Sequence, residues 1–222
     1  MKTLLNVAVL FLAGAFGLAL GWAILDLPVA AVNLPEQLTA QLDMSGVVHP
    51  VTAVLLNFRG YDTLLEIAVL LLALLGILAL PRHVSDHQHR PFTANPVLQT
   101  LARVLVPLML LVAGYILWAG AHRPGGAFQA GAVLAGAGVL LHLAGLLPAW
   151  VTPGRTLRAG LAVGLLVFIA VAVALMAQGT LLQYPPGWAG ALILMIEASL
   201  TFSLGLILAG LYLILADSRA QA

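Results

Sequence analysis

Six continuous apolar runs, each close to the 20 residues a helix needs to cross the hydrocarbon of a bilayer, constrain this chain more than any other feature. They are Leu4–Leu25, Tyr61–Leu80, Val97–Gly120, Ala127–Leu147, Leu157–Ala177 and Trp188–Leu215. The breaks between them collect the helix breakers: Pro28 and Pro35, Pro81, Pro91 and Pro96, Pro124, Pro148 and Pro153, Pro185 and Pro186. Strands of a membrane barrel are short and alternate in polarity, and these runs do neither. Charged residues make up 8% of the chain, against roughly a quarter in a soluble domain. There is too little polar surface to face water, so the solvent must be lipid. The expected fold is an all-α integral membrane protein with about six transmembrane helices.

Composition also removes function classes. A net charge of +1 without a Lys/Arg run leaves nothing to neutralise phosphates, so nucleic acid is not a partner. Cysteine is absent, which excludes disulfides, thiolate metal sites and iron–sulfur ligation on this chain. No nucleophile–base constellation frames a catalytic site, so the chain is not expected to be an enzyme by itself or to hold a cofactor. His83, Asp86, His87 and His89 crowd into "RHVSDHQHR", but no motif frames them as metal ligands, and a solvated loop is the reading adopted.

The distribution of basic residues sets the direction. With the N-terminus on one side, that side collects Lys2, Arg82, Arg90, Arg155, Arg158 and Arg219, and the other receives Arg59 and Arg123. The first side reads as cytoplasmic, with both termini inside. Val29-Ala30-Ala31 resembles a processing site, but the preceding apolar run is longer than a signal peptide requires, so a retained span is expected. Asn33 and Glu36 have capping-box spacing, and Leu34, Leu38 and Leu42 follow on one face, predicting a short amphipathic helix. Val47–Phe58 is apolar but too short to span, and is expected as a half-helix or re-entrant piece buried in protein. Small residues recur four apart at Ala13, Gly17 and Gly21, at Ala127, Gly131 and Ala135, at Gly160 and Gly164, and at Gly205 and Ala209. Such faces let helix backbones approach closely in lipid.

Four ionisable groups lie within spans, where each costs at least ~2.5–3.5 kcal/mol on insertion scales. Glu66 sits about two turns into its span, four residues after Asp62, and neighbouring carboxylates can hold and release one proton between them. Arg59 and Asp62, three apart, suit a local ion pair. Glu197 stands nine residues after Trp188, ~13 Å along a helix axis, with Thr201 one turn on as a possible hydrogen-bonding neighbour. Its alternatives are proton transfer or interhelical adhesion. His142 and Arg103 sit toward the cytoplasmic ends of their spans; Arg103 suits snorkelling to the surface, and His142 either a proton carrier or a satisfied bundle histidine. With Gln129, these residues are candidate rungs of a proton or ion path.

The stretch "AHRPGGAFQAGA" gathers polarity where the lipid-soluble sequence otherwise has none. Pro124 suits a first helical turn, and Gly125 and Gly126 strip it of side chains, so other groups can approach its free N–H ends. His122 lies just outside and Gln129 one turn in. "PGGAFQAGA" resembles the signature of the B subunit of Mrp-type multisubunit cation/proton antiporters. The matching positions are Pro124, Gly125, Gly126, Phe128 and Gly131; Ala127 replaces a third Gly, and His122 stands one residue closer to the Pro. "LMIEASLTFSLG" resembles that family's last helix, where Glu197 fills the expected acidic position. "VTAVLLNFRGYDTLLEIAVL" is similar to the carboxy-terminal region of the family's A subunit and to small subunits of membrane-bound hydrogenases. There Arg59, Gly60, Asp62, Thr63 and Glu66 match.

The resemblance implies a two-span module over residues 1–80, a cytoplasmic linker over 81–96 and a four-span module over 97–222. It implies a subunit of a hetero-oligomeric antiporter in the cell inner membrane, exchanging Na⁺ for H⁺ alongside other membrane subunits. The same module in the membrane arm of a redox-driven, complex I-like pump is the rival, and a scaffold without an ion path is a third reading.

Overall fold

The computed structural model describes residues 2–27, 33–79, 95–147, 154–177, 179, 181–185 and 187–220. The loop histidines His83, His87 and His89 and the Val29–Ala31 processing site lie outside them. Two compact units divide the chain, residues 1–37 and 38–222. The first contains α1, Lys2–Leu25, a single apolar helix. Asn33 opens α2, Leu34–Gln41: its side chain accepts from the Glu36 N–H at 3.4 Å and donates to the Glu36 carboxylate at 3.1 Å. The first bond is the cap its spacing predicts; the return bond comes from the Asn33 side-chain amide and not from its backbone N–H.

In the second unit, a 3₁₀ turn at Leu42–Ser45 ends at Gly46 and leads into a short helical segment. That segment begins as α3, Pro50–Ala53, and widens into a π-turn over Val54–Phe58, where the Arg59 N–H reaches back to the Val54 carbonyl at 2.8 Å. Asn57 ties it to the Ser45 carbonyl at 3.1 Å. The helices α4 (Gly60–Ala79), α5 (Pro96–Ala119), α6 (Ala127–Leu143), α7 (Arg155–Met176) and α8 (Ala189–Ala220) follow. No strand occurs among the described residues. Among the described residues, five helices are long and apolar enough to cross a membrane: α1, α4, α5, α7 and α8. The sixth apolar helix, α6, has 17 residues, about 25 Å at 1.5 Å per residue, at the short end of what spans. The chain is an all-α, multi-pass membrane protein.

The apolar run predicts α6 through Leu147; the helix stops at Leu143. Gly145 takes φ +69°, its N–H bonds to the His142 carbonyl, and the Leu146 N–H reaches Leu141 at 2.9 Å. This Gly-centred wrap satisfies the terminal carbonyls and turns the chain out of the helix.

α8 is the centre of the bundle, with half of its spanning window buried against 17–33% for α4, α5 and α7. The small-residue faces of the second unit set its neighbours. A Cβ on Gly131 would stand 2.9 Å from Leu204 Cβ, and one on Gly205 equally close to Leu134 Cβ, so α6 and α8 touch nearly backbone to backbone. Gly164 faces Leu200 and Ser203 across the α7 contact, where the Ser203 hydroxyl donates to the Leu161 carbonyl at 2.5 Å. α4 lays Ile67, Leu71 and Leu74 against the same core.

Candidate functional site

The contacts of α6 on α8 run in one sense: Gly126 meets Glu197, Gly131 meets Leu204, and Gly138 meets Ala209. The two helices are therefore parallel, and α6 begins level with Glu197. That point is eight residues past the start of α8, about 12 Å along its axis. The connection from α5 to α6 thus sits recessed in the bundle. It is compact because three glycines permit it. A Cβ on Gly120 would stand 2.7 Å from Gly126 Cα, and one on Gly125 would stand 2.5 Å from the Ile116 carbonyl oxygen. The Gly126 N–H donates to that same carbonyl at 3.0 Å.

Gly126 takes φ +104°, and a Cβ there would stand 2.8 Å from Glu197 Oε1. The absent side chain is what admits the carboxylate to the first turn of α6. The Ala127 N–H donates to Glu197, so the acid is held by the positive end of a helix. Glu197 itself is 6% exposed. The Pro-Gly-Gly stretch and the acidic helix, which the sequence presents as two separate motifs, are one site.

The segment Pro50–Phe58 packs over this recessed turn. The Thr52 hydroxyl donates to the Gly120 carbonyl at 2.5 Å, and Thr63, in the first turn of α4, donates to the Leu55 carbonyl at 2.6 Å. Between the segment and the turn lies a cavity of about 30 Å³ whose polar lining is Thr52, Thr63, Gln129 and Glu197. Phe128 closes part of its wall and packs on the main apolar core.

The remaining candidates fall elsewhere. Glu66 is exposed on α4, on the flank of the face that buries Thr63, Ile67 and Leu71, and does not line the cavity. Arg59 and Asp62 form an exposed ion pair at 2.5 Å. Arg103 is exposed and His142 half-buried near the other end of α5 and α6, where Gln99 donates to the Ala144 carbonyl at 3.2 Å. His122 and Pro124 are exposed, and the His122 ring lies 6.0 Å from that of Trp118. Thr201 bonds the backbone carbonyl of Glu197 at 2.8 Å, not its carboxylate; a threonine in a helix finds the carbonyl one turn back more readily than a side chain. Thr52 is the residue the sequence reading passed over. Its signal is faint: one hydroxyl in an apolar half-helix opened by Pro50. Outside the spans, burial pushes the Tyr184 phenol up from its ordinary value.

The geometry can hold a carboxyl group beside a small polar cavity, with a helix end ready to stabilise its charge. No cluster of three or more metal-ligating side chains occurs among the described residues.

Two solved structures share the fold. One is the Mrp complex from Dietzia sp. DQ12-45-1b, at 23% identity and a TM-score of 0.71 over 96% of this chain and 26% of the matched chain. This chain thus spans about a quarter of that relative. The other is the membrane-bound sulfane sulfur reductase, an archaeal respiratory membrane complex. It is matched at 25% identity and a TM-score of 0.72 over 97% of this chain and 98% of the matched one. No curated protein sequence matches. Residues 97–216, which contain both the glycine turn and Glu197, match the family described as a domain related to the MnhB subunit of Na⁺/H⁺ antiporter, and the chain belongs to that family.

Proposed function

We propose that this chain is a non-catalytic subunit of an Mrp-type monovalent cation/proton antiporter in the cell inner membrane, with both termini cytoplasmic. In this reading Glu197 is a proton-holding group of the assembly, and larger partner subunits carry the rest of the Na⁺ and H⁺ path. The observation that carries it is the buried Glu197 carboxylate seated in the first turn of α6, inside the segment that matches the family. A carboxyl that merely glued helices together would need neither a positive-φ glycine against its oxygen nor a polar cavity beside it.

Glu66 takes a second role at a subunit boundary. The other matched positions of its motif have local structural work: Arg59 and Asp62 pair, Gly60 admits Leu182, and Thr63 ties down the Leu55 carbonyl. Glu66 points out of the chain within an apolar span, where lipid is a poor neighbour for it. We read it as offered to a partner membrane subunit along the ion path. Glu66→Ala is expected to abolish exchange with the complex still assembled; loss of the assembly itself would make Glu66 structural.

The rival places the same subunit in the membrane arm of a redox-driven pump. The observation favouring it is the near-complete coverage of a respiratory-complex chain. Mass spectrometry of proteins co-purifying with the tagged chain in mild detergent separates the readings. Antiporter-like subunits without redox proteins support the antiporter. Iron–sulfur or nickel proteins move the chain to the redox pump, and a lone chain in an intact sample refutes both.

A further inference from the structure

The cavity beside Glu197 has a wall chemistry that selects its guest. The hydroxyl protons of Thr52 and Thr63 are committed to the Gly120 and Leu55 carbonyls. Their oxygens therefore have only lone pairs left to offer. Glu197 adds carboxyl oxygen, while the Gln129 amide brings a donor as well as an acceptor. A guest must donate to several oxygens and also tolerate the donor end of α6, whose first-turn N–H groups carry partial positive charge. A small cation meets the first demand and is repelled by the second. Water meets both. A water needs roughly 10–15 Å³ and two to four polar partners, and the cavity supplies about 30 Å³ with four polar side chains on its wall.

The cavity is also graded. Thr52, Thr63, Glu197 and Leu200 are buried, whereas Val51, Leu55 and Gln129, on the same wall, are exposed. It has an inner end at the acid and a mouth at the surface of the chain.

We propose that this cavity is a water-filled port through which Glu197 exchanges its proton with the aqueous phase. The carboxylic O–H passes its proton to the oxygen of the cavity water, and that water releases one of its own protons to the next water at the mouth. The reverse sequence reloads the carboxylate, and nothing else is consumed. Thr52 and Thr63 are positioning residues: one of their oxygens takes one hydrogen of the water, which leaves the other hydrogen free for the next water at the mouth. The proposal rests on the reading of Glu197 as a proton-holding group, and its test is read without any transport measurement.

The chain has no cysteine, so single cysteines report cleanly. Leu55→Cys and Gln129→Cys place a thiol at the mouth. Phe202→Cys places one on the exposed flank of α8 within its span. Each assembled complex, in native membranes, is treated with a charged methanethiosulfonate, and modification is read from the mass of this chain. Both mouth cysteines are expected to react and Phe202→Cys to stay unmodified. Mouth cysteines as unreactive as Phe202→Cys would overturn the port. A cryo-EM map of the unsubstituted complex gives the second reading. Density bridging Thr63 Oγ1 and Glu197 in sodium-free buffer supports a water; a peak that forms only with sodium overturns it. Should the thiols react while Glu197→Gln still exchanges ions, the port stands and the transport role of Glu197 falls.

Discussion

Gly126 holds φ +104° with its Cα facing the Glu197 carboxylate, where a Cβ would stand 2.8 Å from Oε1. Both facts exclude a side chain, and they act together. Gly126→Ala is expected to destabilise the purified protein by about 1–3 kcal/mol through backbone strain alone. It should also dislodge the acid, so exchange falls further than the melting temperature implies. Gly114→Ala, in a helix and with nothing within 4 Å, is the control: it should lower neither, and thermal unfolding should rise slightly because Ala suits a helix interior better than Gly. At this scale the sequence was partly legible. The Pro-Gly-Gly stretch and Glu197 each stood out as polarity inside apolar sequence. Their meeting did not, because it depends on the register of two parallel helices separated by a whole intervening span. Thr52 was illegible for another reason: a lone Thr in an apolar run reads the same whether it bonds its own helix or, as here, the Gly120 carbonyl 68 residues away.

Among elements, the α6–α8 contact is the most extensive, and it forms where the four-residue spacing of small residues places it. Gly131→Val would drive a side chain onto Leu204 Cβ and the Thr201 carbonyl, neither of which can swing aside. Overpacking of this kind costs about 1–3 kcal/mol. The expected outcome is a lower yield of folded chain and a lower unfolding temperature, whereas Gly138→Ala, whose Cβ would meet Ala209 at an ordinary 3.7 Å, is tolerated. Equal stability of the two variants would show that the close approach is not needed. The spans themselves were readable from run length and proline punctuation. The early end of α6 was not, since Gly145 sits among leucines and only its positive φ reveals the cap. The π-turn at Val54–Phe58 left no sequence signal either; within it, the Leu55 carbonyl accepts from the Thr63 hydroxyl of the next helix.

For the molecule as a whole, α8 organises the second unit: α6 and α7 pack on it through glycines, α4 through Ile67, Leu71 and Leu74, and the recessed α5–α6 turn brings the Ala127 amide to Glu197. A bundle built this way carries a carboxyl group into the span without leaving it against lipid, which answers the insertion penalty for an ionisable group. Membership of the MnhB-related family gives that arrangement a context, and Glu66 lies exposed on the flank of α4. The most direct test is sodium-dependent proton exchange in everted membrane vesicles carrying the assembled complex with Glu197→Gln. The substitution keeps the shape and removes the titratable proton. Exchange is expected to fall roughly tenfold or more, with every subunit still present. Unchanged exchange by the glutamine variant would contradict this reading of Glu197.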